Sequence, residues 1–356
     1  MSDLVQRMSN LSPEKRAILQ RKLLEKRATP AAALPVITRR TTSGPCAVSF
    51  GQELMWLLDQ LTPGISAYNV PRVLRLQGRL DREALKKSLA GILQRHSILR
   101  TTYSVSDGIP LQVVDEQAQV HLREIDLSSL SNEQREAEAL RIVIEESDKS
   151  FDLKRDLMMR TTLIRLGQEE HIFVLVTHHI ASDGVSRTLL FRELAAHYEA
   201  FTKGVEPKLL PELPIQFADF ALWQRDQFKA EVLQKQLEYW EKQLAGAPPV
   251  LELPTDHPRP AVQTHTGARF LTSYPKATAV KLREFGQKEG ATQFMLMLAV
   301  FKVLLHRYTG QEEIVVGTPM SGRSWTEIEN LIGYFSNSLV LRTSFAGNPS
   351  FRQLLQ

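Results

Sequence analysis

The sequence feature that most constrains the fold is an apolar run that ends in two histidines. Residues 172–177 read Ile-Phe-Val-Leu-Val-Thr, and His178, His179, Asp183 and Gly184 follow. An uninterrupted run rich in β-branched and aromatic residues is typical of a strand that is buried on both faces. The sequence therefore predicts a central strand whose end carries two imidazoles out of the core.

The pattern His-His-x-x-x-Asp-Gly has four fixed positions. At ~5% per residue type, such a pattern is expected about 0.002 times in a chain of this length. Chance is therefore a poor explanation for it. A structural pair of histidines at a strand end remains the plain alternative to a catalytic role.

The composition is that of an ordinary globular protein. The chain has 356 residues, 43% of them hydrophobic and 24% charged, with a net charge of +4. A chain of this length is too long to fold around a single hydrophobic core, so we expect two lobes. The basic residues are scattered, which indicates no nucleic-acid partner. No apolar run is long enough to cross a bilayer and the N-terminus lacks a signal-peptide core, so we also expect no membrane partner.

The single cysteine bears on the cellular location of the protein, and the order of predicted strands and helices bears on its fold class. Cys46 is the single cysteine. It cannot form an internal disulfide, which favours a cytoplasmic location. Predicted strands, including one near Phe270, alternate along the chain with predicted helices, including one at 81–95 that Asp81 caps, which indicates an α/β fold.

Proline-rich stretches suggest the domain boundaries. Residues 1–45 are predicted as a charged N-terminal docking or linker helix, at 1–28, followed by a linker. A solvated tail helix is the alternative for that segment. Residues 46–214 are predicted as an N-terminal lobe that carries the histidine motif, and residues 215–356 as a C-terminal lobe.

Strand geometry separates the two histidines. Adjacent residues on a strand point to opposite faces, so only one of His178 and His179 can face a given cleft. A shared metal site is therefore disfavoured, and the chain has no H-E-x-x-H motif or cysteine pair, so we expect no metal. The chain also lacks the G-x-S-x-G elbow of serine hydrolases. One histidine remains as an acid/base or positioning group, because a pKa near ~6.5 suits proton exchange at neutral pH.

The acid and the glycine of the motif have structural explanations. An aspartate at the end of a buried strand needs a partner, because burying it unpaired costs roughly several kcal/mol. Arg95 and Arg100 are the predicted partners of Asp183. Gly184 would allow close approach of a backbone or ligand, or a positive φ.

Four further segments accompany the histidine motif. In chain order the five are Ser49…Gln52…Trp56, Arg95-His96-x-x-Leu99-Arg100-Thr101, His178-His179-Ile180-Ala181-Ser182-Asp183-Gly184, Asp219-Phe220-Ala221-Leu222-Trp223-Gln224 and Ile332-Gly333-x-Phe335-x-Asn337-x-Leu339…Arg342. In these segments, and from about residue 46 to 356, the sequence resembles condensation domains of nonribosomal peptide synthetases. The third segment also occurs in other acyltransferases, so the other four distinguish the family.

The resemblance implies two chloramphenicol-acetyltransferase-like lobes in a V with a tunnel between them. The family continues beyond Gln356, so the second lobe is expected to be incomplete. The implied reaction is formation of an amide bond between a donor acyl or peptidyl thioester and the amine of an acceptor aminoacyl thioester. The domain itself would bind no cofactor, because both substrates are tethered to 4′-phosphopantetheine on carrier proteins.

The resemblance also implies partners and competing functions. The partners would be upstream donor and downstream acceptor peptidyl carrier proteins, an adjacent adenylation domain and, through residues 1–28, an upstream synthetase subunit. The setting would be antibiotic or other secondary metabolism. Ser182 before Asp183 resembles domains that join an L-configured donor to an L-configured acceptor. The alternatives are an epimerisation domain of the same fold and a non-catalytic module that docks carrier proteins.

Residue roles follow from the resemblance as well. His179 would be the catalytic histidine that faces the tunnel, acting either as general base or as a positioner of the amine. His178 would be the structural histidine, and Asp183 would belong to the scaffold, paired with Arg95. Gly184 and Arg100 would support the site, and the candidates on the substrate side are Ser182, Trp223 and Asn337.

Overall fold

The computed structural model describes residues 36–207, 210–261, 263 and 267–355. The predicted helix at 1–28 and the first part of the predicted linker, residues 29–35, therefore lie outside the described residues. The elements discussed below belong to one compact unit, Arg39–Gln356.

Nine strands, β1 to β9, run through the described part of the chain. In order they are Cys46–Ala47, Asn69–Gln77, Thr101–Ser106, Ile109–Val114, Leu122–Asp126, Met159–Arg165, Glu170–His178, Glu313–Met320 and Asn337–Ser344. They form a three-stranded sheet of order β1-β4-β3, a four-stranded sheet of order β2-β7-β6-β5 and a two-stranded sheet of β8 and β9.

The α-helices that the structure describes are labelled α1 to α9. In order they are Phe50–Leu61, Arg82–Arg95, Asn132–Asp148, Gly184–Thr202, Phe217–Gln227, Ala230–Leu244, Lys276–Lys288, Gln293–Thr309 and Phe351–Leu355. Within these described ranges no helix is both long and apolar enough to cross a membrane.

Strand β7 lies inside the four-stranded sheet, between β2 and β6. Both neighbours run antiparallel to it. Every residue of the strand from His171 to His178 is buried, and α3 packs against β2 and β7. The predicted strand buried on both faces is therefore confirmed, and its C-terminal end delivers the histidines.

Helix α4 begins directly after the motif because Asp183 caps it. The Asp183 side chain accepts a hydrogen bond from the backbone N–H of Ser186, which satisfies one of the free donors at a helix start. The apolar face of α4 includes Leu189, Leu190 and Leu194, and the helix packs against α2. Strand, turn and helix thus follow one another directly, and the cap at Asp183 joins the turn to the helix.

The second half of the chain differs in one respect from its sequence pattern. A strand is expected near Phe270, but the structure has no strand at residues 267–275 and leaves Phe270 90% exposed. That expectation is wrong, because a pattern of apolar residues does not form a strand without a partner strand. Strands β1 to β7 precede residue 207, whereas β8 and β9 follow residue 312. The lobe boundary at 214/215 stays a prediction.

Candidate functional site

The end of β7 places the two histidines in different surroundings. His178 is the last residue of the strand and is 3% exposed. Its Nδ1 accepts a hydrogen bond from the backbone N–H of Ile180 at 3.1 Å. Its ring packs against those of Phe151 and Tyr68, with centroids 5.6 and 6.3 Å away. Burial, helped by His179 and a nearby arginine, lowers the pKa of His178 to about 4, so this imidazole is neutral at neutral pH.

His179 opens a short 3-10 turn and is only partly buried. Its backbone N–H donates to the carbonyl of Tyr68 at 2.8 Å. Its Nδ1 is buried, and no described residue forms a hydrogen bond with it. The ring lies against Tyr334 with centroids 5.4 Å apart and planes at 76°. An aromatic contact, rather than a hydrogen bond, therefore holds this imidazole.

Asp183 is at the centre of a buried polar network. Its Oδ1 accepts from both the backbone N–H and the Oγ–H of Ser186, each at 2.8 Å. Its Oδ2 accepts from the backbone N–H of Phe335 at 3.2 Å. The guanidinium of Arg323 lies 3.2 Å from Oδ1, and the exposed fractions of the two side chains are 5% for Arg323 and 0% for Asp183. The buried charge is therefore paired, as its burial requires.

The partner of Asp183 differs from the predicted one. Arg95 lies 3.4 Å from Glu193 instead, and Arg100 donates to Glu116 at 2.6 Å. The predicted pairing of Asp183 with Arg95 or Arg100 is wrong. Arg95 is the last residue of α2, and it forms an ion pair with Glu193 on the neighbouring helix α4.

Arg323 is a site residue that the sequence reasoning missed. It follows β8 and lies 140 positions from Asp183. Its other terminal nitrogen donates to the carbonyls of Ile328 and Leu331 at 2.6 and 2.7 Å. Burial lowers the pKa of Arg323 while the charge of Asp183 raises it, and a guanidinium stays protonated in either case. No local periodicity marks such a residue, so the sequence carried no signal for it.

The loop 332–335, which belongs to the fifth segment, is fixed through its backbone. Three of its N–H groups bind buried acceptors: Ile332 to His96 Nδ1 at 3.3 Å, Gly333 to Ser186 Oγ at 3.0 Å and Phe335 to Asp183 Oδ2 at 3.2 Å. The second, third and fifth sequence segments thus meet in one place, with Ser186 on α4 between them.

His96 connects this loop to α4. Because its Nδ1 accepts from Ile332, its proton is on Nε2, which donates to Glu193 at 2.7 Å. Burial lowers the pKa of His96. Burial alone would raise the pKa of Glu193, but the hydrogen bond from His96 and the charge of Arg95 lower it. The pair is therefore a neutral imidazole that donates to a carboxylate.

Two glycines permit the close packing around the loop. A Cβ on Gly333 would lie 2.0 Å from the ring of Phe217, and a Cβ on Gly51 would lie 2.9 Å from the ring of Tyr334. Burial, together with the charge of Asp183, raises the pKa of Tyr334, so its phenol stays protonated. Tyr334 occupies one of the unspecified positions of the fifth segment, which is why sequence reasoning overlooked it.

The remaining predicted site residues are placed as follows. Gly184 has no positive φ, and a Cβ there would meet nothing within 4 Å, so it makes no close backbone approach. Trp223 is partly buried and packs against Trp325, with centroids 4.6 Å apart. Ser182 is 2% exposed, next to the histidine turn. Asn337 is exposed at the start of β9. The structure shows Trp223 and Asn337 outside the polar network.

The chemistry available at this site is proton transfer and positioning. His179 is partly exposed and its ring nitrogens form no described hydrogen bond, whereas the carboxylate of Asp183 is fully engaged. Within the ranges that the structure describes, no group of three or more His, Cys, Asp or Glu residues could hold a metal ion.

Comparison with known proteins shows which family the chain matches. The family described as "Condensation domain" matches residues 43–356. A linear gramicidin synthase of Brevibacillus parabrevis is 47% identical over 308 residues, which are 86% of this chain but 4% of the relative. The chain thus spans a small part of the relative that it matches.

Solved structures agree with this family. The complex of the X-domain and OxyB from teicoplanin biosynthesis matches with a TM-score of 0.80 at 29% identity, over 90% of this chain and 70% of that one. The first condensation domain of the CDA synthetase matches with a TM-score of 0.72 at 24% identity, over 88% and 74%, and this likeness shows the fold alone. The predicted α/β, chloramphenicol-acetyltransferase-like fold class is confirmed.

Proposed function

We propose an amide-forming reaction for this chain, which belongs to the condensation-domain family of nonribosomal peptide synthetases. A donor acyl or peptidyl thioester and an acceptor aminoacyl thioester, each tethered to 4′-phosphopantetheine on a carrier protein, would be its substrates. The domain itself would bind no cofactor. Kinship with the linear gramicidin synthase supports a place in peptide antibiotic synthesis beside carrier and adenylation domains.

One observation carries the proposal. Asp183 is held by an ion pair and hydrogen bonds, whereas the Nδ1 of His179 forms no hydrogen bond with a described residue. Asp183 is buried against Arg323, and its oxygens also accept from Ser186 and Phe335. A carboxylate held in this way cannot serve as the base. His179, which is partly exposed at the end of β7, is the group of the motif that can meet a substrate amine.

The proposed step balances as follows. The amine nitrogen of the acceptor attacks the carbonyl carbon of the donor thioester and forms the C–N bond. The imidazole of His179 takes up or directs the proton that leaves the amine. The C–S bond breaks, and the departing sulfur acquires the proton and becomes the free thiol of the donor arm. An α-amine with a pKa near ~8 is close enough to imidazole for this transfer.

Burial and hydrogen bonds support His178 and Asp183 as structural residues of the site. The finer details rest on the resemblance alone. They include Ser182, Trp223 and Asn337 on the substrate side, and an L-configured donor joined to an L-configured acceptor. A cytoplasmic setting rests on the single cysteine.

The experiment that tests the reaction mixes the full protein containing this chain with a donor and an acceptor carrier, each loaded with a thioester. Mass spectrometry of the pantetheine arms reports the amide. Replacing His179 by Ala is expected to lower the rate ~10²- to 10⁴-fold, the usual contribution of a positioned acid/base. His257→Ala is the matched control, because His257 is exposed on a loop. Equal rates for His179→Ala and the wild type would show that His179 has no such role.

The same assay separates two other functions. Racemised tethered amino acid without amide would indicate an epimerisation domain. Carrier binding without turnover in the wild type would indicate a docking module. The X-domain in complex with OxyB favours the second alternative, since a structurally similar domain there binds another protein.

A further inference from the structure

His179 lacks the contact that usually orients a histidine in a reactive site. In most such sites the second ring nitrogen binds a carbonyl or carboxylate, which fixes the tautomer and the ring plane. The Nδ1 of His179 is buried, and none of the described residues bonds to it. The carboxylate of the motif, Asp183, binds Arg323 instead. The orientation of this imidazole must therefore come from packing.

The ring of Tyr334 supplies that packing. The two rings are nearly perpendicular, with centroids 5.4 Å apart, which is the edge-to-face geometry that aromatic pairs prefer. Tyr334 has little freedom of its own, because a Cβ added to Gly51 would already lie 2.9 Å from its ring. The backbone N–H groups of its neighbours Gly333 and Phe335 bind buried side chains.

We propose that Tyr334 is a positioning residue for His179, a role that deepens the proposed amide-forming reaction and rests on it. The aromatic ring carries the role, and the hydroxyl does not. The network around Asp183 then acts on the reaction indirectly, because it fixes the loop 332–335 that presents this ring.

The rate experiment compares two variants of one residue. Tyr334→Phe keeps the ring and is expected to form amide within about twofold of the wild-type kcat. Tyr334→Leu removes the ring and is expected to lower kcat ~3- to 10-fold, the effect of losing one aromatic contact, with the KM of the acceptor unchanged. Tyr239→Leu is the matched control, because Tyr239 is 59% exposed on α6.

A second measurement needs no substrate. In protein labelled with ¹³C-histidine, the order parameter of the Cε1–Hε1 bond of His179, whose signal is identified by its loss in His179→Ala, reports how tightly the imidazole is held. The order parameter is expected to stay unchanged in Tyr334→Phe and to fall in Tyr334→Leu. A residue that merely stabilised the fold would not lower this order parameter selectively.

The outcomes separate the two proposals. A wild-type kcat in Tyr334→Leu, or an unchanged order parameter of His179 in that variant, overturns the positioning role. Formation of no amide by the wild type defeats the proposed reaction, and the order parameter of His179 then decides by itself whether Tyr334 orients the imidazole.

Discussion

The two ends of the five-residue stretch from His179 to Asp183 differ in how their polar atoms are satisfied. At one end, Asp183 is fully buried, and a guanidinium, a hydroxyl and two backbone N–H groups bind it. At the other end, His179 is partly exposed, and its Nδ1 has no hydrogen-bond partner among the described residues. This difference indicates that Asp183 stabilises the structure of the site, whereas His179 remains available for chemistry.

The largest expected effect comes from removing the charge at the satisfied end. Asp183→Asn keeps the shape of the side chain but leaves Arg323 buried without a counter-charge, so we expect a loss of about 3–5 kcal/mol in the free energy of unfolding. Urea denaturation measures it. The control is Glu136→Gln, which removes the carboxylate from an exposed pair with Arg75 and should cost about 1 kcal/mol or less. Similar losses in the two variants would show that the buried pair of Asp183 and Arg323 contributes no more to stability than an exposed ion pair.

The pH dependence of stability tests the structural histidine beside this acid. Burial lowers the pKa of His178 from 6.5 to about 4, so the unfolded chain binds more protons between those values. The contribution is therefore fully present above about pH 6.5 and is lost as the pH falls towards 4, to a total of about 3 kcal/mol. His178→Asn keeps an acceptor for the N–H of Ile180 but cannot titrate. Unfolding curves from pH 7 to 4 should fall less steeply for this variant, and parallel curves would argue against a buried neutral His178.

The smallest expected effect compares two glycines. Gly333→Ala places a methyl group 2.0 Å from Phe217, and we expect a loss of about 1–3 kcal/mol in the free energy of unfolding. Gly184→Ala meets no atom within 4 Å at the first residue of α4, so its effect should stay within about 0.5 kcal/mol. Thermal unfolding of both variants sharpens the comparison. A large loss in Gly184→Ala would restore the supporting role predicted for that glycine.

Much of the first half of the fold could be predicted from local patterns. The apolar run at 172–177 predicted β7, and the helical spacing of apolar residues after an aspartate predicted α2. These predictions succeed because secondary-structure periods and helix caps depend on residues a few positions apart. The predicted strand near Phe270 failed because a strand also needs a partner, which local sequence does not provide.

The sequence by itself determined that the chain has a buried strand ending in two histidines, that the acid of the motif requires a partner and that five ordered segments resemble one family. Only the tertiary structure decided that the partner is Arg323 and that Tyr334 packs against His179. The physical reason is distance along the chain. Arg323 lies 140 positions from Asp183, and Tyr334 lies still farther from His179. The packing of the whole chain brings such residues together, and no periodic pattern in the sequence predicts that packing.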